Sequence, residues 1–216
     1  MITGKVHGRR GRSGSDGFFR KNDRSADEMS DFALLSGSQI RQLAFVVPDA
    51  EKAARRHSEI LGSGPFFLVP RYKVVVHRHR GRESSLDVTS AYGQWSDVQV
   101  EFIQMHDDAP SAYRDLFPGG GPGMHHVAVF CDSRSESVAR LEQAGYPEAL
   151  YAETAAGRGY SIIDTSKDLG HMVELYEGSM VAEFYRQVRE ASEGFDGSDP
   201  VRTFDFASAY QDRATN

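Results

Sequence analysis

Two carboxylates, an imidazole and a side-chain amide occupy matching strand-like settings in this 216-residue chain. Gln42 opens the run Gln42-Leu43-Ala44-Phe45-Val46-Val47, and His126 opens His126-Val127-Ala128-Val129-Phe130-Cys131. In register, Gln42 matches His126 and Ala44 matches Ala128. A second pair of runs, Val98 to Gln104 and His171 to Tyr176, places Glu101 against Glu174. Alternate residues of a strand share a face. Gln42, Glu101, His126 and Glu174 therefore each sit beside small or apolar neighbours, while Leu43, Phe45, Val127, Val129, Val100, Phe102, Val173 and Leu175 form wholly apolar opposite faces. Taken singly, each of the four also fits a half-exposed strand, but the repeat places them as a set. A carboxylate among apolar neighbours needs a partner, because burying an unpaired charge costs several kcal/mol. Two carboxylates, an imidazole nitrogen and an amide oxygen converging on one cleft share one economical partner, a divalent cation.

These strands need elements to hold them in place, and the sequence supplies the same elements twice. After the first strand, Pro48-Asp49 offers a cap, Ala50, Ala53, Ala54, His57, Ile60 and Leu61 recur at helical spacing, and Gly62 suits a left-handed helix end. After the second, Ser133 and Glu136 make an S-x-x-E capping box, Val138, Leu141 and Ala144 line one face, and Gly145 ends the helix. Each unit reads βαβββ, with middle strands near 74–79 and 87–92 in the first and near 151–152 and 160–163 in the second. The first unit is longer between its helix and closing strand, and an insertion of that kind is expected in a loop. The fold class is α+β: two tandem βαβββ modules forming a curved eight-stranded sheet around a metal-binding cleft, helices outside. The divisions are a disordered N-terminal arm over 1–38, a first module over 39–106, a linker loop over 107–122, a second module over 123–178, and a C-terminal helix and tail over 179–216.

Composition sets the limits on function. The chain is 39% hydrophobic and 26% charged, which is ordinary globular content. A net charge of −6 argues against nucleic acid as a partner. No apolar run approaches the roughly 20 residues that span a bilayer, and no apolar stretch follows the basic N-terminus as a secretory signal requires. The one cysteine, Cys131, fits a reducing compartment, so a cytoplasmic protein is expected. Residues 1–31 hold seven Lys or Arg and five Asp or Glu with no hydrophobic period, and a dispensable extension is expected there.

The paired βαβββ pattern, with a candidate ligand on the first and last strand of each unit, resembles the vicinal oxygen chelate superfamily over about Ile40 to Glu177. That superfamily includes glyoxalase I, methylmalonyl-CoA epimerase, extradiol dioxygenases and bleomycin-resistance proteins. Gly123-Met124-His125-His126-Val127-Ala128 is similar to the G-x-H-H-x-A segment of epimerase-like members, and Gly170 to Leu175 and Val100 to Gln104 support it. The set Gln42, Glu101, His126 and Glu174 resembles that of one branch of glyoxalase I. The arginines with which that branch engages glutathione are replaced by Val46 and Pro122, so glutathione adducts are not the expected substrate. The overall resemblance is to the glyoxalase-like or epimerase-like subgroup.

One imidazole nitrogen and three oxygens make a mostly hard site, suited to one ion of Zn, Mn, Co, Ni or Mg rather than to a redox iron. The expected activity is that of a metal-dependent isomerase, epimerase or lyase removing a proton beside the carbonyl of a small-molecule substrate. Glu174 and Glu101 are the candidate bases. The alternatives are a non-catalytic small-molecule-binding protein of the same fold and a ring-cleaving dioxygenase. Phe130 and Met172, on the faces of His126 and Glu174, and His79 are the candidate substrate contacts. His77 and His79 share a strand face among Arg78, Arg80 and Arg82, which reads as an exposed polar strand rather than a metal pair. His125 alternates away from His126 and is read as structural. Tyr113 and Arg114 sit in the linker, as a cover for the cleft or simple packing. Met180 to Ala191 reads as an amphipathic helix through Val181, Phe184, Tyr185 and Val188, suited to packing between the subunits of a homodimer.

Overall fold

The structure is a computed structural model, and it describes residues 34–35, 38–72, 74–154 and 157–204. The arm expected over 1–38 lies outside the described residues except at 34, 35 and 38. No helix among the described residues is long and apolar enough to cross a membrane. The chain forms strand β1 (Ile40–Val46), helix α1 (Ala50–Leu61), and strands β2 (Phe66–Tyr72), β3 (Val76–His79), β4 (Arg82–Glu83), β5 (Val88–Trp95) and β6 (Val98–Met105). Helix α2 (Ala112–Leu116) follows, then β7 (Gly123–Cys131), α3 (Arg134–Gln143), β8 (Glu148–Glu153), β9 (Gly159–Ile163), α4 (Ser166–Leu169), β10 (Met172–Glu177), α5 (Gly178–Ser192) and β11 (Val201–Thr203). The caps foreseen in the sequence form. Asp49 accepts from the Lys52 amide at 2.9 Å, Ser133 Oγ accepts from the Glu136 amide at 3.3 Å, and Gly62 ends α1 at φ +67°.

One sheet runs in the order β11-β2-β5-β6-β1-β7-β10-β9-β8-β3-β4. Its centre is the repeat: β6 lies parallel to β1, β1 antiparallel to β7, and β7 parallel to β10. The sheet is open but strongly curved. β2 and β9 are six places apart, which in a flat sheet is roughly 29 Å at about 4.8 Å per strand. Yet the hydroxyls of Tyr72 on β2 and Tyr160 on β9 meet at 3.0 Å. The convex face carries α1 over Ala91, Val100 and Phe102 and α3 over Val127, Val129, Ile163, Val173 and Leu175. The concave face is a third cluster containing Ala44, Ile103, Leu150, Tyr160, Ile162 and Met172, with Ala112 and Tyr113 of α2 packed into it.

Four features depart from the sequence reading. Among the described residues the sheet has eleven strands rather than eight. The residues near 74–79 do not form a middle strand of the first unit. That place belongs to β2, and Pro70 inside it, which cannot donate to a ladder, disguises it as a non-strand. The insertion is not a loop either: β3 and β4 leave the first unit and add to the far edge of the second, β3 pairing antiparallel with β8. Beyond α5 the chain returns as β11, parallel to β2, so the tail includes an edge strand.

Candidate metal centre

Register places the four candidate residues on one face of four adjacent strands. Ala44 of β1 stands opposite Glu101 of β6 on one side and opposite His126 of β7 on the other. One step along, Gln42 stands opposite Ala128, and Ala128 opposite Glu174 of β10. Each wholly buried alanine thus separates two polar side chains, leaving room for both to lean over it. Ligand atoms of Glu101, His126 and Glu174 all lie within 4.8 Å of one another, and all three residues are buried. Ligands sharing a cation at about 2.0–2.6 Å are spaced on this scale.

Gln42 Nε2 donates to Gln99 Oε1 at 2.6 Å, which leaves the buried Gln42 Oε1 without a partner among the described residues. An orphaned buried carbonyl costs about 1–3 kcal/mol. Burial pushes the Glu174 carboxyl up to about 8, against a small opposing effect of the Tyr176 hydroxyl. Burial, then the charge of Glu174, push Glu101 up to about 7, opposed by His126. Burial lowers His126 to about 4. Two carboxyl groups lie beside one neutral imidazole, His126 Nε2 being 3.2 Å from Glu174 Oε2, and burial favours the protonated form of both carboxyls. The donor set, its spacing and the orphaned amide oxygen all fit a hard divalent cation.

The other expected contacts divide. Met172 is buried in the concave face opposite His126. Phe130 is half-buried, packed edge-on against Tyr185 of α5 at 4.9 Å with the Arg41 guanidinium over its ring at 5.2 Å. His79 is held by Asp115 of α2 at 3.0 Å rather than joining the cluster. His77 does not lie on an exposed strand: it is buried, and among the described residues neither ring nitrogen makes a hydrogen bond of good geometry. His125 does not simply point away. Phe45 pairs with Met124 while Ala44 pairs with His126, so His125 is the extra residue of a β-bulge, and its ring reaches His126.

Sequence reasoning missed three residues. Gln99 holds the Gln42 amide, and the alternation that put it on the face of Glu101 was the available signal. Tyr185 brings α5 to Phe130, and the charges of Glu174 and Glu101 act on its hydroxyl, so this helix borders the site rather than only packing. Tyr72 reaches the concave face from β2, and the missed strand hid it.

A family profile described as the glyoxalase/bleomycin resistance protein/dioxygenase superfamily matches residues 41–162. The chain belongs to that superfamily, the vicinal oxygen chelate proteins. Comparison with curated proteins gives no match. Among solved structures, the chain is similar to methylmalonyl-CoA epimerase from Mycobacterium tuberculosis, with 18% identity, a TM-score of 0.44, and coverage of 66% of this chain and 91% of that one. It is also similar to a hypothetical protein from Bacillus halodurans, at 14% identity and a TM-score of 0.46, covering 66% and 95%. A third is Streptomyces coelicolor methylmalonyl-CoA epimerase in complex with 2-nitronate-propionyl-CoA, at 13% identity and a TM-score of 0.44, covering 65% and 96%.

Proposed function

We propose that this chain is a divalent-metal-dependent isomerase, epimerase or lyase that removes a proton from the carbon beside a carbonyl of a small-molecule substrate. The observation that carries this reading is the buried Glu101–His126–Glu174 cluster, with ligand atoms within 4.8 Å. Glu101, His126 and Glu174, with the free carbonyl oxygen of Gln42, would hold the cation. When bound, that cation supplies Lewis-acid polarisation of a substrate carbonyl.

The chain's own part is proton handling in a dry site. Glu174 and Glu101 lie on strands at opposite sides of the four-strand patch, so one can accept a proton at a carboxylate oxygen while the other returns it. Return to the opposite face of the same carbon is epimerisation, and return to the next carbon is isomerisation. The hydroxyls of Tyr92 and Tyr176 favour the ionised forms of Glu101 and Glu174 respectively. Phe130 and Met172 are the proposed apolar contacts of the substrate.

The test is twofold. Protein purified without added metal is assayed for bound metal, and carbonyl compounds with an acidic α-hydrogen are incubated with it in deuterium oxide. The reading expects about one divalent ion per chain and α-deuteration. Glu174→Gln should bind the ion with modest loss while exchange falls about 10²–10⁴-fold, the usual worth of a general base. Full exchange in that variant transfers the role to Glu101. No metal and no exchange in the wild type makes the chain a binding protein.

A further inference from the structure

We infer that His125 is a positioning residue that fixes which ring nitrogen of His126 is free, through a proton chain anchored on the main-chain carbonyl of Ala112. The inference deepens the metal-site reading and rests on it for its purpose, but the proton placement itself can be read without any metal.

The chain follows from what each atom can do. A carbonyl oxygen only accepts, so His125 Nε2, 2.9 Å from the Ala112 oxygen, must carry a proton. A neutral imidazole has one N–H, which leaves His125 Nδ1 as a lone pair. That lone pair is 2.9 Å from His126 Nδ1, so His126 must donate from Nδ1. The single proton of neutral His126 is then placed, and its Nε2 is bare, 3.2 Å from Glu174 Oε2. Two lone-pair atoms at that distance repel unless a proton or a cation lies between them. The bare nitrogen is the form that binds a metal, and a donor–acceptor partner on the far ring nitrogen is what holds a metal-binding histidine in one tautomer.

Reversing the chain would require a charged His125. Its ring is fully buried between Tyr113, at 4.9 Å between centroids, and Phe117, at 6.3 Å. Placing a charge on a ring buried in that way is costly. The bulge at His125 is what makes the bond possible, since regular alternation would send the two rings to opposite faces. Ala112 opens α2, so the orientation of a candidate ligand on β7 is set by the segment that joins the two halves of the sheet.

The test compares His125→Phe with His125→Asn. Asn Oδ1 replaces Nδ1 as the acceptor, Phe offers none, and both lose the bond to Ala112, so a purely structural role predicts equal effects. In metal-free protein, ¹⁵N-resolved imidazole spectra should show His126 protonated at Nδ1 in the wild type and in the Asn variant. In the Phe variant the proton should move to Nε2. Mn²⁺ binding by calorimetry should weaken about 10–100-fold in the Phe variant, as for loss of a histidine's outer partner, and stay within a few-fold of wild type in the Asn variant. A wild-type His126 protonated at Nε2, or the same tautomer in both variants, overturns the inference. If the Phe variant does not fold, the wild-type and Asn spectra decide alone. A wild type that takes up no Mn²⁺ overturns the metal reading, while its metal-free spectrum still decides this one.

Discussion

Titrating the metal-free protein from pH 6.5 to 8 should destabilise it, and adding a divalent ion should cancel the loss. Glu174 rises to about 8 and Glu101 to about 7 in the folded chain, both from 4.5. A carboxyl whose folded pKa is raised favours the fold below its unfolded pKa, and that contribution is lost as pH rises through the folded value. His126 and His125 are lowered to about 4 and about 3, so the folded chain gains stability as the unfolded histidines lose their protons up to about 6.5. Above pH 6.5 the carboxylates dominate, but an unfolded imidazole is still half protonated at its pKa, so each lowered histidine, His57 and His77 included, still adds up to about 0.4 kcal/mol by pH 8. Each group that stays protonated in the fold and ionised in the unfolded chain costs about 1.4 kcal/mol per pH unit. Glu174 contributes over most of the interval and Glu101 over its lower part, a loss of about 2–3 kcal/mol that the histidines trim to about 1–2 kcal/mol net. At 2–4 °C per kcal/mol for a chain of this size, Tm should fall by roughly 2–8 °C. A bound cation makes both carboxylates ionise in the fold, so its stabilisation should grow with pH, reaching about 2.7 kcal/mol at a hundred times Kd. Scanning calorimetry at fixed ionic strength, with and without Mn²⁺, measures both slopes. A metal-free Tm that is flat from pH 6.5 to 8, or a Mn²⁺ effect no larger at pH 8 than at 6.5, refutes the reasoning.

His77→Leu removes two buried ring nitrogens that make no well-formed hydrogen bond among the described residues and should leave metal content unchanged while stability holds or rises by about 1 kcal/mol, read from urea midpoints; a loss of metal would make His77 a ligand. Ala44→Val adds two methyls between Glu101 and His126, so Mn²⁺ affinity should fall, with an overpacking cost of about 1–3 kcal/mol; unchanged affinity would mean that the two side chains do not lean over Ala44. Arg80 binds Asp115 at 2.8 Å and Asp164 at 2.6 Å, tying the β3–β4 turn to α2 and to the segment after β9. Arg80→Ala should cost no more than about 1 kcal/mol, because the side chain is 41% exposed, yet speed amide exchange over 112–117; unaltered exchange there would show that α2 is held without it.

The centre of the fold was legible because a buried face imposes strict alternation. Gln42, Glu101, His126 and Glu174 fall on one face in the register the repeat implies, and Val100, Phe102, Val127, Val129, Val173 and Leu175 turn to the helices. What alternation alone cannot give is a place where it fails. The bulge adds one residue to β7, and nothing in His125-His126 as a dipeptide distinguishes a bulge from a regular strand. Partner choice was equally hidden. The residues 76–79 have strand character, but their partner β8 lies in the other unit, and pairing so distant in sequence leaves no local pattern. Pro70 concealed β2 for the opposite reason: a true strand carrying a residue that usually marks a strand's absence.

The long-range pairing bears on whether the cluster is assembled within one chain. Gln42, Glu101, His126 and Glu174 come from β1, β6, β7 and β10 of one sheet, so a single chain brings its three charged or titratable members together. The β3–β4 insertion then extends the sheet beyond β8. It leaves β2 at one end of the sheet and pairs at the other, which is possible only because the sheet curves enough for Tyr72 and Tyr160 to meet. Each unit alone would leave its concave face, with one carboxylate among apolar side chains, in contact with water. Curvature buries both faces against each other and against α2, and the cost of doing so falls on Glu101 and Glu174, whose raised pKa values measure it. A fold that retains two such carboxylates in its interior holds a few kcal/mol in reserve that a cation can release. That cost is concentrated where the chemistry is proposed, whereas the only buried polar residues on α1 and α3 among the described residues are the uncharged Ser58 and Ser137.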